Sequence, residues 1–329
     1  MKEKYENIHR RIRLMAALHS YDYKKCTHAM LENQVNYTPD EIRRITRTIK
    51  ENRSYVLIGD EDYPIKLYDL EWPPLVLFYE GNLDLVNRPS IGIVGARNCS
   101  GYGRKITMDL ASSLAKIGLT VISGGARGID AAAHQATLGE NGKTVCVLGC
   151  GLDISYPSEN AELFSLIKKE GLVISQYPNG FGPKKWTFPL RNRIIAALSD
   201  EIIVTEAAEK SGSLHTAAYG EELNRPVHSI PHEIYSGNGS GTNLLIEMGA
   251  RILYKKEHLL SDLLTRKPDV LLRRIRDLKL LELNPSMDDL EKIFCLGLVK
   301  DIYWKEKLER DLKNIYNFER YKRDNGDKS

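Results

Sequence analysis

Between residues 90 and 250, short apolar runs alternate with longer stretches of helical periodicity. Residues 91–94, 119–122, 144–148, 172–175, 201–204 and 226–230 are rich in Val, Ile and Leu and too short for helices. They read as buried strands. The helices predicted between them start near residues 101, 129, 156, 191 and 216. Continuous apolar strands separated by helices imply an α/β fold, with a mostly parallel sheet covered on both faces. Upstream, Trp72-Pro73-Pro74 leads into an apolar run that ends at Gly81, a strand beginning or lying at an edge where proline is tolerated. Residues 176–190 are expected to form a long irregular loop.

The flanks differ in texture. In residues 3–50, Ile8, Ile12, Met15 and Leu18 share one helical face, and Thr38-Pro39-Asp40-Glu41 is a helix start. The opposite face is basic and open to solvent or to nucleic acid. From Lys255 onward the chain is helical and strongly charged, and residues beyond Tyr321 are expected to be disordered. The pattern divides the chain into a helical module (1–53), an α/β domain (54–256) and a helical C-terminal region (257–329).

Composition narrows the class. The formal net charge is +3, too small by itself to prove a nucleic-acid partner. Five scattered cysteines make no disulfide framework. Cys146 and Cys150 lack the spacing of a zinc site and read as buried thiols, so no metal is expected. The absence of a long apolar run and of a signal-peptide core gives the expectation of a cytoplasmic protein that makes no membrane contact.

The candidate chemistry lies where strands hand over to helices. Ser123-Gly124-Gly125-Ala126-Arg127-Gly128 joins a strand to an Ala-rich helix, and Gly95-Ala96-Arg97 follows the strand before it. Glycines allow the backbone to approach a ligand, helix N-termini favour anions, and arginine is suited to phosphate. Loops at the carboxyl ends of parallel strands can share one crevice. The helix starts at Gly101 and Gly128 are therefore candidate phosphate seats. A second cluster, Lys184, Lys185, Trp186, Phe188, Arg191 and Arg193, joins cations to rings that can stack on unpaired bases. His134 reads as a hydrogen-bonded core residue and Asp130 as a structural first-turn carboxylate. The sequence has no dinucleotide-binding GxGxxG, no Walker A lysine and no GxSxG elbow.

Taken in order, Gly95-Ala96-Arg97, the stretch from Ser123 to Asp130 with His134, Gly149-Cys150-Gly151, Tyr156-Pro157, Phe188-Pro189 with Arg191-Asn192-Arg193, Glu206, Ser211-Gly212-Ser213 and Asn243-Leu244 with Gly249-Ala250 resemble the DNA-processing protein A (DprA/Smf) family. The resemblance implies an extended Rossmann-like, doubly wound domain and a single-stranded DNA-binding recombination mediator with no catalytic activity and no cofactor. It implies a homodimer that loads the RecA recombinase during DNA uptake and natural transformation. By position it assigns nucleic-acid contacts to Arg97, Ser123, Gly124, Gly125, Arg127, Gly128, Lys184, Lys185, Phe188, Arg191 and Arg193. It places dimer contacts at Asn243, Leu244, Ile246 and Leu253, and likens residues 1–53 to a sterile-alpha-motif-like module. Ala96 and His232 depart from the family, which usually has Ser or Thr and Gly there. The alternative is a nucleotide-binding or nucleotide-hydrolysing enzyme on a related fold, with Glu206 as its acid.

Overall fold

In the computed structural model the described residues are 54–266, together with Thr38, Asp40, Arg43 and Arg47. The rest of the expected helical module (1–53) and the C-terminal region beyond residue 266 lie outside them. The strands are β1 (Tyr55–Leu57), β2 (Val76–Gly81), β3 (Ser90–Val94), β4 (Thr120–Gly124), β5 (Thr144–Leu148), β6 (Leu172–Ser175), β7 (Glu201–Val204), β8 (Val227–Ser229) and β9 (Arg251–Ile252). The helices are α1 (Gly101–Lys116), α2 (Ile129–Gly139), α3 (Ala161–Glu170), α4 (Thr187–Leu198), α5 (Gly212–Glu222), α6 (Ser240–Glu247) and α7 (Lys256–Arg266).

All nine strands form one sheet in the order β1-β2-β6-β5-β4-β3-β7-β8-β9. From β6 to β9 the pairs are parallel; β2 runs antiparallel to β6, and β1 antiparallel to β2. The expected α/β, mostly parallel, doubly covered sheet is borne out. Strand β3 has β4 on one side and β7 on the other, so the chain winds outward in both directions from it. Such a reversal opens a crevice beyond the carboxyl ends of the strands, the usual ligand position in this architecture.

Alternation along the strands feeds both faces. Ile91, Ile93, Val121 and Ile203 pack with Leu110, Leu114, Ile129 and Ala133 of α1 and α2. Val94, Ile122, Ile202 and Val204 point the other way, against Ile194, Ile195, Leu198 and Ala217 of α4 and α5. The side-chain period of two sets this division. Leu259, Leu260 and Leu263 of α7 are buried in the first of these clusters. Among the described residues, no helix is long and apolar enough to cross a membrane.

One expectation is corrected. The irregular segment does not reach residue 190, because α4 begins at Thr187. The Thr187 N–H donates to the Lys184 carbonyl, and its hydroxyl donates to the same oxygen, closing a turn that starts the helix early. Arg191 therefore lies within the helix, not at its start.

Candidate nucleic-acid interface

Three loops and one helix converge beyond the carboxyl ends of β3, β4 and β5. Arg97 comes from the loop after β3, Gly125 and Arg127 from the loop after β4, and Gly149 and Tyr156 from the segment after β5; Phe188 and Arg191 come from α4. Together they line a cleft of about 140 Å³. Backbone ties hold the loops in register: the Ala96 N–H donates to the Glu206 carbonyl at 2.7 Å, and Ile129 N–H to the Ala96 carbonyl at 3.2 Å. Gly128 has φ +77, and a Cβ there would collide with the Ala96 and Arg97 carbonyl oxygens. Only glycine fits that crossing without strain.

The cleft mouth is cationic and aromatic. The exposed Arg97 guanidinium lies 5.3 Å from the Phe188 ring centre. Tyr156 lies 5.7 Å from the same ring and is 44% exposed. Arg127 Nη1 is 3.7 Å from Glu159 Oε1, with both side chains more than half exposed. Such a pair is weak and readily exchanged for a phosphate. Lys184 and Lys185 are exposed beside the cleft and do not line it. Lys184 Nζ rests 4.8 Å from the Phe181 ring centre and 5.8 Å from that of Trp186. Trp186 meets Phe181 and Tyr177 edge-on.

The cleft floor is built from buried charge. Arg191 is 5% exposed, and its Nη1 donates to the Val147 carbonyl at 2.5 Å. Asp130 is equally deep, and its Oδ2 accepts from the Ala126 N–H at 3.3 Å. Burial raises the Asp130 pKa above the usual carboxylate value, and Arg191 partly offsets that shift. A Cβ on Gly124 would overlap both the Arg191 guanidinium and the Asp130 carboxylate. Gly124 thus makes room for this pair. His134 is fully buried, with Nε2 donating to the Gly124 carbonyl at 2.9 Å and Nδ1 2.6 Å from the Thr144 hydroxyl. Burial depresses its pKa to about 4. Cys150 lines the cleft, yet burial pushes its thiol to about 11, far from a reactive thiolate.

Several expected contacts are placed elsewhere. Ser123 is fully buried and its hydroxyl donates to the Ile93 carbonyl at 2.6 Å, so it ties β4 to β3. Arg193 donates to the Trp72 carbonyl at 3.0 Å, anchoring α4 to the upstream segment outside the cleft. The helix start at Gly101 is not an open phosphate seat. Ser100 caps it by accepting from the Gly103 N–H at 3.0 Å, and the Glu206 carboxylate accepts from the Ser100 N–H at 2.8 Å and from its hydroxyl. A buried carboxylate already complements that dipole. Glu206 is completely buried, so its catalytic assignment lacks an exposed acid. The aromatic wall at Tyr156 was not anticipated; its signal was an aromatic residue directly before Pro157 in a strand-to-helix loop.

At the far edge, Leu244, Met248, Ile252 and Tyr254 are exposed, the last at 61%. Among the described residues, strand β9 pairs with β8 alone and has no strand on its other edge. Among the expected dimer contacts, Leu253 is instead in the core, and Asn243 bonds both backbone polar groups of His232, accepting from its N–H and donating to its carbonyl. Ile246 is half-buried. Among the described residues, no group of three or more His, Cys, Asp or Glu is placed to hold a metal ion.

A doubly wound sheet with a cationic, ring-lined cleft at its winding reversal defines a Rossmann-like architecture whose cleft has the chemistry to suit an anion. Residues 54–264 match the family described as DNA recombination-mediator protein A, and the chain belongs to that family. It is 43% identical over 218 residues to protein Smf of Synechocystis sp., a match spanning 65% of this chain and 55% of that protein. It is 42% identical to DNA processing protein DprA of Streptococcus pneumoniae, over 62% of this chain and 72% of the relative. The chain thus spans little more than half the length of the first of these. The solved DprA of S. pneumoniae superposes with a TM-score of 0.63 at 38% identity, covering 69% of this chain and 82% of that one. DNA processing protein A of Helicobacter pylori, described for its single-stranded DNA binding mode, gives 0.60 at 32% identity, covering 65% and 97%.

Proposed function

We propose that this protein is a recombination mediator that binds single-stranded DNA and delivers it to a RecA-type recombinase during DNA processing and uptake. The observation that carries the reading is one cleft holding the Arg97 and Arg127 guanidiniums together with the Phe188 and Tyr156 rings. Arginines neutralise phosphates, and the rings stack on bases that a duplex would keep paired. Lys184 and Lys185 extend the positive path beside the cleft, and Gly125 and Gly128 let the backbone approach the strand. Ser123, Gly124, Arg191 and Arg193 act by holding this surface in shape. The role is binding rather than catalysis, it requires no cofactor, and it belongs to the cytoplasm. The exposed apolar edge around Leu244 and Ile252 is the surface on which two copies associate as a homodimer.

The test is binding of a labelled oligothymidine at two salt concentrations, beside the matching duplex and ATP. Tight, salt-sensitive binding to the single strand alone supports the reading, and a recombinase-loading assay on the coated strand then tests the mediator step. Preference for the duplex or for ATP sinks it.

A further inference from the structure

A second cavity lies on the other side of the loop after β3. It measures about 360 Å³ and is lined by Ser100, Tyr102, Pro231, His232, Glu233 and Ser236. Arg97 faces the first cleft and Ser100 the second, so a single short loop separates them. Cα atoms three residues apart lie within about 10 Å of each other. One continuous strand can therefore occupy both.

The chemistry of the two cavities differs. No cation lines the second. Its rim carries the exposed Glu233, and the buried Glu206 carboxylate sits behind its wall. Phosphate is excluded by like charge. Its inner wall includes His232, whose side chain is 5% exposed. The Nδ1 of His232 lies 3.0 Å from the Ile230 carbonyl and 3.0 Å from the Thr242 hydroxyl oxygen. Thr242 gives its own proton to the Gly239 carbonyl at 2.7 Å. Nδ1 must then carry a hydrogen, which leaves Nε2 as an acceptor in the neutral ring. Among the described residues Nε2 has no hydrogen-bond partner; it is closed off from solvent and lies 3.7 Å from Glu206 Oε2, beyond hydrogen-bonding distance. The cavity itself therefore presents the Glu233 carboxylate as its charged acceptor, beside the Tyr102 and Ser236 hydroxyls. It also offers a ring: Tyr102 packs edge-on to His232 at 5.2 Å and stays 51% exposed. Tyr235, 94% exposed, stands on the loop between Glu233 and Ser236.

We propose that this cavity is a nucleobase subsite, taking an amino-bearing base of the same strand whose phosphates occupy the first cleft. The inference rests on the single-strand reading. A base brings a flat face for Tyr102 and an exocyclic N–H donor for the Glu233 carboxylate. Cytosine presents an amino group where thymine presents a carbonyl, so the cavity discriminates between two pyrimidines of similar size.

The experiment compares oligodeoxycytidine with oligothymidine of equal length on the full chain, for wild type and the Tyr102→Ala, Glu233→Ala and Arg127→Ala variants. The expected result is an approximately tenfold preference for the cytosine strand. Glu233→Ala reduces that preference to within about twofold, and Tyr102→Ala weakens binding of the cytosine strand by roughly five- to tenfold, the scale of one stacking contact, with no change in its salt dependence. Equal wild-type affinities, or a preference that survives both Tyr102→Ala and Glu233→Ala, overturn the subsite while Arg127→Ala still loses binding. In that event the acidic cavity suits a cationic side chain of a protein partner. Failure to bind either strand overturns the single-strand reading and the subsite with it.

Discussion

Arg127 and Arg191 both lie close to the cleft, yet they do different work. Arg127 is exposed and weakly paired, whereas Arg191 is buried beside Asp130 and bonded to the Val147 carbonyl. Arg127→Ala should weaken single-strand binding about tenfold, evenly across sequences, with the melting temperature unchanged. A loss confined to certain sequences would refute a phosphate role. Arg191→Met leaves the Asp130 carboxylate buried without its countercharge. That variant should lose roughly 3–5 kcal/mol of stability in denaturant titration; full stability would contradict the structural role. His134 supplies a pH signature. Its folded pKa of about 4 lies below the ordinary imidazole value of 6.5, so unfolding takes up a proton between those values. The stability it contributes is complete above the unfolded pKa and falls as pH drops through this window, by on the order of 3 kcal/mol. Denaturation midpoints between pH 7 and 4 should fall less steeply in His134→Gln than in wild type. Parallel slopes would remove His134 from the account.

At the scale of elements, the strand-to-helix loops were readable because glycine, arginine and apolar runs sit adjacent in sequence. What was not readable depended on distant residues. Glu206 follows β7 but accepts from the N–H and hydroxyl of Ser100, the cap of α1, a contact spanning more than a hundred positions, so Gly101 looked like an open helix start. Ser123 was assigned to nucleic acid by position from the family resemblance, while the Ile93 carbonyl on the adjacent strand takes its hydroxyl. Arg191 was placed at a helix start because the irregular loop was expected to run to residue 190; Pro189 instead fits the first turn of α4, where its missing N–H costs nothing. The loop crossing at Gly128 carries its own prediction. Gly128→Ala should cost about 1–3 kcal/mol and displace Arg97, lowering both stability and strand affinity. An unchanged melting temperature would show that the crossing relaxes without strain.

For the whole molecule, continuous apolar runs and strand-helix alternation made the covered parallel sheet legible, together with the crevice at the carboxyl ends of its strands. The antiparallel additions of β2 and β1 were not, since nothing local specifies which edge a short strand joins. The other edge, β9 with α6, exposes backbone and apolar side chains together. Such an edge invites pairing with another chain. The double variant Leu244→Glu with Ile252→Glu should sediment as a folded monomer where the wild type sediments as a dimer. A variant that remains dimeric would place the interface elsewhere. The proposed homodimer would set two clefts on one assembly, so the monomeric variant should bind long strands less tightly than wild type while binding a strand that fills one cleft equally well.

The most direct test of the central claim is the salt dependence of single-strand affinity in wild type and Arg127→Ala. Log affinity should fall linearly with log salt, with a slope of roughly −2 to −3 if three or four of Arg97, Arg127, Lys184 and Lys185 each neutralise a phosphate. Arg127→Ala should make that slope shallower by about 0.7. A flat salt response, or an identical slope in the variant, would mean that the cleft does not hold the strand by its phosphates.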